Sequence, residues 1–234
     1  MKRNLVLLFC IAISTCLNAQ NVSEDMKVRN GSDVTKSLPY AERFRYDTFR
    51  DGKVFFRNGR IVNAKLNYSI AHGEIQFIDP KNDTLILNDK IFMDKITIDA
   101  DTFFYYQHHG HVRKIAGYKQ VSLAEKQLLG TIGKERNAAY NQFSATTAIS
   151  TYSTLTNNAG QQEYEGGSDR LLLKRRSAYY FLDKNRDIYT ATKGNLLKVF
   201  PRHKKALTEY FKSNKVEFND PKAIVRALEY ASRL

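Results

Sequence analysis

The sequence predicts an α+β fold, with an N-terminal antiparallel β-sheet meander of short strands and C-terminal helices packed on it. The first observation is that apolar and polar residues alternate from Val62 to Tyr68, as in a half-buried strand. The second is a change of period, because apolar residues recur at helical spacing in the last part of the chain. Strands that come first and helices that come last are the order expected of an α+β domain.

The domain organisation follows from the same patterns. We expect a single α+β domain over residues 40–234, with a β-rich part at 51–121 and a helical tail at 193–234. A loop is predicted at 156–169, because this segment is rich in glycine and has no apolar period. The helices each have one apolar face, and the sheet of 51–106 is the surface on which we expect them to pack.

Turn residues divide the β-rich part into short strands. Asn58 and Gly59 predict a two-residue type I′ turn, because both residues accept a positive φ. The other predicted strands are short apolar or aromatic runs at 75–77, 85–87, 96–98, 103–106, 112–115 and 118–121.

The signals after residue 121 alternate between helix and strand. Ser122 and Glu125 match a capping box and predict a short helix, which Gly130 would limit to two or three turns. The β-branched residues of 138–155 favour extended structure, and 171–182 predicts a further strand.

The helical tail has a clear start signal. Asp220 is a good N-cap residue, and Pro221 suits the first helical position after it. Ile224, Leu228 and Ala231 then lie on one helix face.

Residues 1–19 are expected to be a signal peptide. Lys2 and Arg3 form a basic start, an apolar run follows, and Ala19 is the predicted cleavage position. A lipoprotein anchored at Cys16 is the alternative. The predicted location is therefore the periplasm, the outer membrane surface or the extracellular space.

The remaining chain is expected to begin with a flexible lead-in at 20–39, because this segment is polar and aperiodic. Cys10 and Cys16 are the two cysteines of the sequence, so cleavage after Ala19 would leave no disulfide. No later apolar run is long enough for a transmembrane span in the mature chain.

The charge predicts an anionic partner. The formal net charge is +13, and it falls by two to +11 without Lys2 and Arg3. An envelope protein or an anionic glycan or lipid surface fits this charge, whereas nucleic acid is not expected outside the cytoplasm. The candidate contacts are two basic runs, of which solvated faces are the plain alternative: Lys174, Arg175, Arg176, Arg202, Lys204 and Lys205.

Histidines and acids offer only weak candidates for a metal site. His108, His109 and His111 are close in sequence, but no further ligand at a suitable spacing accompanies them, and a solvated turn explains them as well. Asp94, Asp99 and Asp101 lack the spacing of a calcium loop and are interpreted as ordinary strand-end acids.

The sequence identifies no catalytic residue and no cofactor. Residues 130–134 have two residues between their glycines, whereas a phosphate-binding loop needs four. We therefore expect a non-enzymatic binding module of the cell envelope. The alternative is an envelope glycan hydrolase that uses a carboxylate pair, which spacing alone does not locate.

Two stretches resemble an uncharacterised family of exported, signal-peptide-bearing proteins of Bacteroidota bacteria. They are NGRIVNAKLNYSIAHGEIQFID with the following DTLIL, and KGNLLKVFPRHKKALTEYFKSNKVEFND with the helical residues after it. The resemblance implies export and an intact domain. It implies no active site.

Overall fold

The computed structural model describes residues 26–29, 32–137, 143–146 and 170–234. The predicted signal peptide and the predicted loop at 156–169 lie outside the described residues. Of the segment 138–155, which we expected to be extended, residues 143–146 are described and form a strand.

The described strands form one antiparallel sheet. They are β1 (Met26–Arg29), β2 (Arg50–Phe56), β3 (Ile61–Ser69), β4 (Glu74–Ile78), β5 (Thr84–Ile86), β6 (Met93–Ile98), β7 (Asp101–Tyr106), β8 (Gly110–Gly117), β9 (Val121–Asn137), β10 (Phe143–Thr146), β11 (Arg170–Asp183) and β12 (Ile188–Thr190). The order across the sheet is β1-β11-β9-β8-β7-β6-β2-β3-β4-β5, with β10 beside β9 and β12 beside β11. β2 therefore lies between β3 and β6, so the chain returns to it after β5.

Most helical residues are C-terminal. The helices are α1 (Val34–Ser37), α2 (Tyr40–Arg43), α3 (Lys193–Val199), α4 (Lys204–Ser213) and α5 (Pro221–Arg233), with 3-10 turns at Lys90–Phe92 and Pro201–His203. The start of α5 is as predicted, because the Asp220 carboxylate accepts the backbone N–H groups of Lys222 at 2.9 Å and Ala223 at 3.2 Å. Among the described residues, no helix is both long and apolar enough to cross a membrane.

Two apolar cores lie on the same face of β9. The side chains of Leu123, Glu125, Gln127 and Leu129 alternate onto this face. Leu129 belongs to a core with β2, β3, β6 and β7, and Leu123 belongs to a second core with the helices. The polar residues Glu125 and Gln127 lie between the two cores.

The helices pack on a different part of the sheet from the one predicted. Ile224 and Leu228 of α5 share a core with Leu123 of β9 and Phe181 of β11. The predicted packing of the helical tail on the sheet of 51–106 is therefore wrong. The strands of 51–106 instead enclose the first core with one another and with β1, β9 and β11.

The combination of an antiparallel sheet with mostly C-terminal helices is confirmed, but the sheet is larger than a short meander. It continues to Thr190, well beyond the predicted β-rich part at 51–121. The helix predicted from Ser122 and Glu125 is wrong, because β9 occupies this segment. Leu123 and Ala124 are both buried, on opposite faces, which requires the period of a strand.

Two local predictions are also corrected. Among Asn58 and Gly59 only the glycine has a positive φ, of 85°, so the turn is not type I′. The N–H of Phe56 donates to the carbonyl of Arg60, which closes a three-residue loop. Part of the segment expected to be a flexible lead-in is also ordered, since Met26–Arg29 pairs with β11.

Candidate functional site

A polar network fills the space between the two cores. Arg113 of β8 donates from Nη1 to Asp101 at 3.1 Å and from Nη2 to Glu125 at 2.7 Å. Arg45 follows α2 and donates from Nε to the same Asp101 at 3.3 Å and from Nη1 to Gln127 at 2.7 Å. Each carboxylate therefore contacts arginine in a partly dehydrated setting.

Two hydroxyl groups complete the network. The Tyr46 hydroxyl donates to Asp101 at 2.6 Å, and the Ser177 hydroxyl of β11 donates to Glu125 at 2.7 Å. Burial raises the pKa of Asp101, but the hydrogen bond from Tyr46 and the charges of Arg113 and Arg45 outweigh it and lower that pKa overall.

This arrangement bears on the alternative of a glycan hydrolase. A glycosidase needs one carboxylic acid whose pKa is raised, so that it can protonate the leaving group. The Asp101 pKa is lowered, and Arg113 bridges Asp101 to Glu125. The network therefore resembles a structural ion-pair network, and Asp101 within it is a paired carboxylate and not the protonated acid that the hydrolase would need.

The three aspartates of the 94–101 segment separate in the structure. Asp94 pairs with Arg186 at 2.6 Å, Asp99 with Arg50, and Asp101 with the network. Because each acid faces a different arginine, they form no common cation site.

The candidate histidines also diverge. His108 is exposed at the β7–β8 turn with a φ of 68°, and the His109 ring lies against Tyr180 with 5.1 Å between centroids. His111 points into the interior and is fully buried. The described residues contain no group of three or more His, Cys, Asp or Glu side chains that could hold a metal ion.

His111 forms a buried pair with Glu74. Its Nδ1 lies 2.5 Å from Glu74 Oε2, and Lys90 Nζ lies 3.1 Å from the same carboxylate oxygen. Because a carboxylate only accepts, Nδ1 carries the hydrogen, and the buried Nε2 has no hydrogen-bond partner in the described part of the chain.

Burial and charge set the titration of this pair. Burial lowers the pKa of His111 by more than its hydrogen bond to Glu74 raises it. For Glu74 burial raises the pKa, but the hydrogen bond from His111 and the charge of Lys90 outweigh burial and lower it. The pair is thus neutral imidazole beside carboxylate, enclosed within the fold.

The three residues of the first predicted basic run do not share one surface of the protein. Lys174, Arg175 and Arg176 lie in β11, where successive side chains point to opposite faces. Arg175 lies on the face of the cores and donates to the carbonyl of Ala41 in α2 at 2.9 Å. Lys174 and Arg176 also take part in interactions within the protein.

The second predicted basic run is open to solvent. Arg202, Lys204 and Lys205 are exposed around the start of α4. Lys193 and Lys198 of α3 are exposed nearby, and residues 193–208 include no acidic residue. We call these five residues the basic helical face. Sequence reasoning missed Lys193 and Lys198, although the absence of acids over 193–208 was a readable signal.

No ion pair to the basic helical face is present in the part of the chain that the structure describes; Lys193 and Lys198 instead lie over the rings of Phe211 and Tyr189. A shallow depression of about 280 Å³ adjoins the face. Its lining includes Asp183, Lys184, Asn185, Tyr189 and Lys198. The depression offers amide, ammonium, carboxylate and phenol groups but no enclosed cavity.

Comparison with protein-family models, with curated proteins and with solved structures finds no match in any of the three. Membership of the exported Bacteroidota family therefore stays a prediction.

Proposed function

We propose that this protein is an exported, non-enzymatic binding module of the cell envelope, whose basic helical face contacts an anionic envelope polymer. The observation that carries the proposal is the set of five exposed Lys and Arg residues over 193–208 with no acid among them. Unpaired cations on one surface attract polyanions and accelerate their association.

The position of Lys204 and Lys205 supports a role in binding. Both lie in the first turn of α4, which contains no acidic residue, and His203 makes no side-chain capping hydrogen bond there. Cations at a helix N-terminus oppose the helix dipole and cost about 0.3–1 kcal/mol each at exposed sites. Residues that are unfavourable for folding are often retained for function.

Charge reversal tests the proposal. We expect Arg202→Glu, Lys204→Glu and Lys205→Glu together to weaken binding to dextran sulfate at least tenfold, the effect of about 1.4 kcal/mol. Neutral dextran should bind neither protein. Titration calorimetry at several salt concentrations measures the affinity, and the wild-type affinity should fall as salt rises.

The matched control reverses three exposed cations elsewhere, with Arg29→Glu, Lys81→Glu and Lys114→Glu. It changes the net charge by the same amount and should bind almost as wild type, apart from a general loss due to net charge. Equal losses in the two variants would show that no particular surface is used. Specific capture of an envelope protein that survives the first variant would favour a protein partner instead.

Stability should move in the opposite direction to binding. We expect Lys204→Glu alone to raise the free energy of unfolding by about 0.5–1 kcal/mol, because it places an anion at the N-terminus of α4. Lys81→Glu, in the turn between β4 and β5, should leave stability nearly unchanged. Thermal melts compare the two, and a lower melting temperature for Lys204→Glu would contradict the proposed cost.

A further inference from the structure

We propose that the end of the β2–β3 hairpin and the neighbouring 3-10 turn form a site that inserts into an anionic lipid surface. We define this apolar tip as residues 53–61 and 89–95. The site lies outside the basic helical face, so the inference goes beyond the proposed function.

Exposed apolar side chains define the tip. Among the described residues, six large apolar side chains are exposed, and Ile61, Ile91 and Phe92 are three of them. Ile91 and Phe92 each have 59% of their surface exposed, and Ile61 has 54%. Two adjacent and largely exposed apolar residues are unfavourable in water and indicate a contact surface.

The backbone holds the two segments of the tip together. The N–H of Arg57 donates to the carbonyl of Phe92 at 2.9 Å, and Arg57 Nε donates to the carbonyl of Met93 at 3.3 Å. Phe55 of β2 pairs with Ile61 of β3 on one side and Lys95 of β6 on the other. The exposed apolar residues are thus fixed on adjoining segments of the sheet.

Cations surround the apolar residues. Lys53, Arg57, Arg60 and Lys95 belong to the tip, and Arg60 and Lys95 lie over the rings of Phe56 and Phe55. The tip contains two acidic residues, and one of them, Asp94, forms an ion pair with Arg186. Lys90 of the tip forms an ion pair with Glu74, which lies outside the tip. Asp89 is the one acid of the tip without an ion pair in the described part of the chain.

The charge identifies the occupant. Apolar residues with a rim of Lys and Arg suit the boundary between headgroups and acyl chains of an anionic bilayer. A second copy of this chain would place the same cations against each other, which disfavours self-association through the tip. Each Lys or Arg near an anionic membrane surface adds to the electrostatic attraction.

The sequence allows a direct experiment, because it contains no Trp. Phe92→Trp gives a protein with a single tryptophan at the tip, and Leu234→Trp places it at an exposed apolar residue elsewhere. With vesicles of phosphatidylglycerol and phosphatidylcholine, we expect a blue shift and quenching by brominated acyl chains for Phe92→Trp only. Pure phosphatidylcholine vesicles should give a much weaker response.

Vesicle flotation then measures the contribution of the side chains. Ile91→Ser with Phe92→Ser should weaken binding at least tenfold, whereas Leu85→Ser with Leu234→Ser should change it less than twofold. The Phe92→Trp protein that also carries Arg202→Glu, Lys204→Glu and Lys205→Glu should still show the blue shift, so failure of the proposed function remains distinguishable.

Several outcomes would overturn the inference. One is an unchanged Phe92→Trp spectrum on anionic vesicles, and another is an equal response from Leu234→Trp. A concentration-dependent blue shift without vesicles would show that the tip binds a second copy, and a blue shift in dilute protein alone would show that the chain itself covers it.

Discussion

Replacing Arg113 with alanine should lower the free energy of unfolding by about 3–5 kcal/mol. The substitution removes the guanidinium that bridges Asp101 and Glu125, and Glu125 is largely buried. Water cannot fully replace the lost partner of a buried carboxylate, so the native state keeps a poorly compensated charge. Urea unfolding followed by circular dichroism measures the change.

An exposed ion pair of similar length gives the control. Lys65 Nζ lies 2.9 Å from Asp51, and Arg113 Nη2 lies 2.7 Å from Glu125. Because both members of the Lys65 pair are exposed, Lys65→Ala should cost less than about 1 kcal/mol. If the two substitutions cost the same free energy of unfolding, burial does not govern the strength of the network.

Acid should destabilise the protein in two stages. The folded pKa of His111 lies below its ordinary value of 6.5, so below pH 6.5 the unfolded chain takes up a proton that the folded chain refuses. The folded pKa of Glu74 lies below 4.5, so a second loss begins near pH 4.5, and Asp101 adds to it from 3.8 downward. Each proton bound only by the unfolded chain costs up to about 1.4 kcal/mol per pH unit.

His111→Gln should remove the larger part of the first stage, because glutamine does not titrate and His111 is the fully buried imidazole. His109, whose pKa burial also lowers, keeps the remainder. We expect the unfolding free energy of His111→Gln to fall less between about pH 7 and pH 5 than that of the wild type, whatever its absolute stability. His108→Asn is the matched control, since His108 is exposed in the same turn and asparagine tolerates its positive φ. A wild-type stability that rises on acidification over this range would refute the assignment.

The fold was predictable where local signals and burial agree. Asp220 and Pro221 define the start of α5 through adjacent residues, and Ile224 and Leu228 are buried at the predicted helical spacing. At Ser122–Glu125 the local capping signal and the tertiary structure disagree. The pairing of β9 with β11, and the burial of β9 side chains on both faces of the sheet, stabilise a strand here in spite of the capping signal.

The candidate sites were predictable to different extents. The basic helical face lies largely within one short segment, so its charge could be read from the sequence. The polar network joins Arg45, Asp101, Arg113 and Glu125, which come from separate segments and meet only in the folded chain. The apolar tip likewise forms only where β2 and β3 contact the 3-10 turn before β6. The spacing of residues in the sequence does not predict such long-range contacts.

The pairing of β1 with β11 also bears on how the chain acquires its structure over time. Arg29 and Arg170 are register partners although roughly 140 positions separate them, a separation typical of slow, non-local folding. During synthesis β1 must remain unpaired until β11 has emerged, and unpaired strand edges invite aggregation. A chain of this topology therefore leaves β1 without its pairing partner for longer than the strands of its local hairpins.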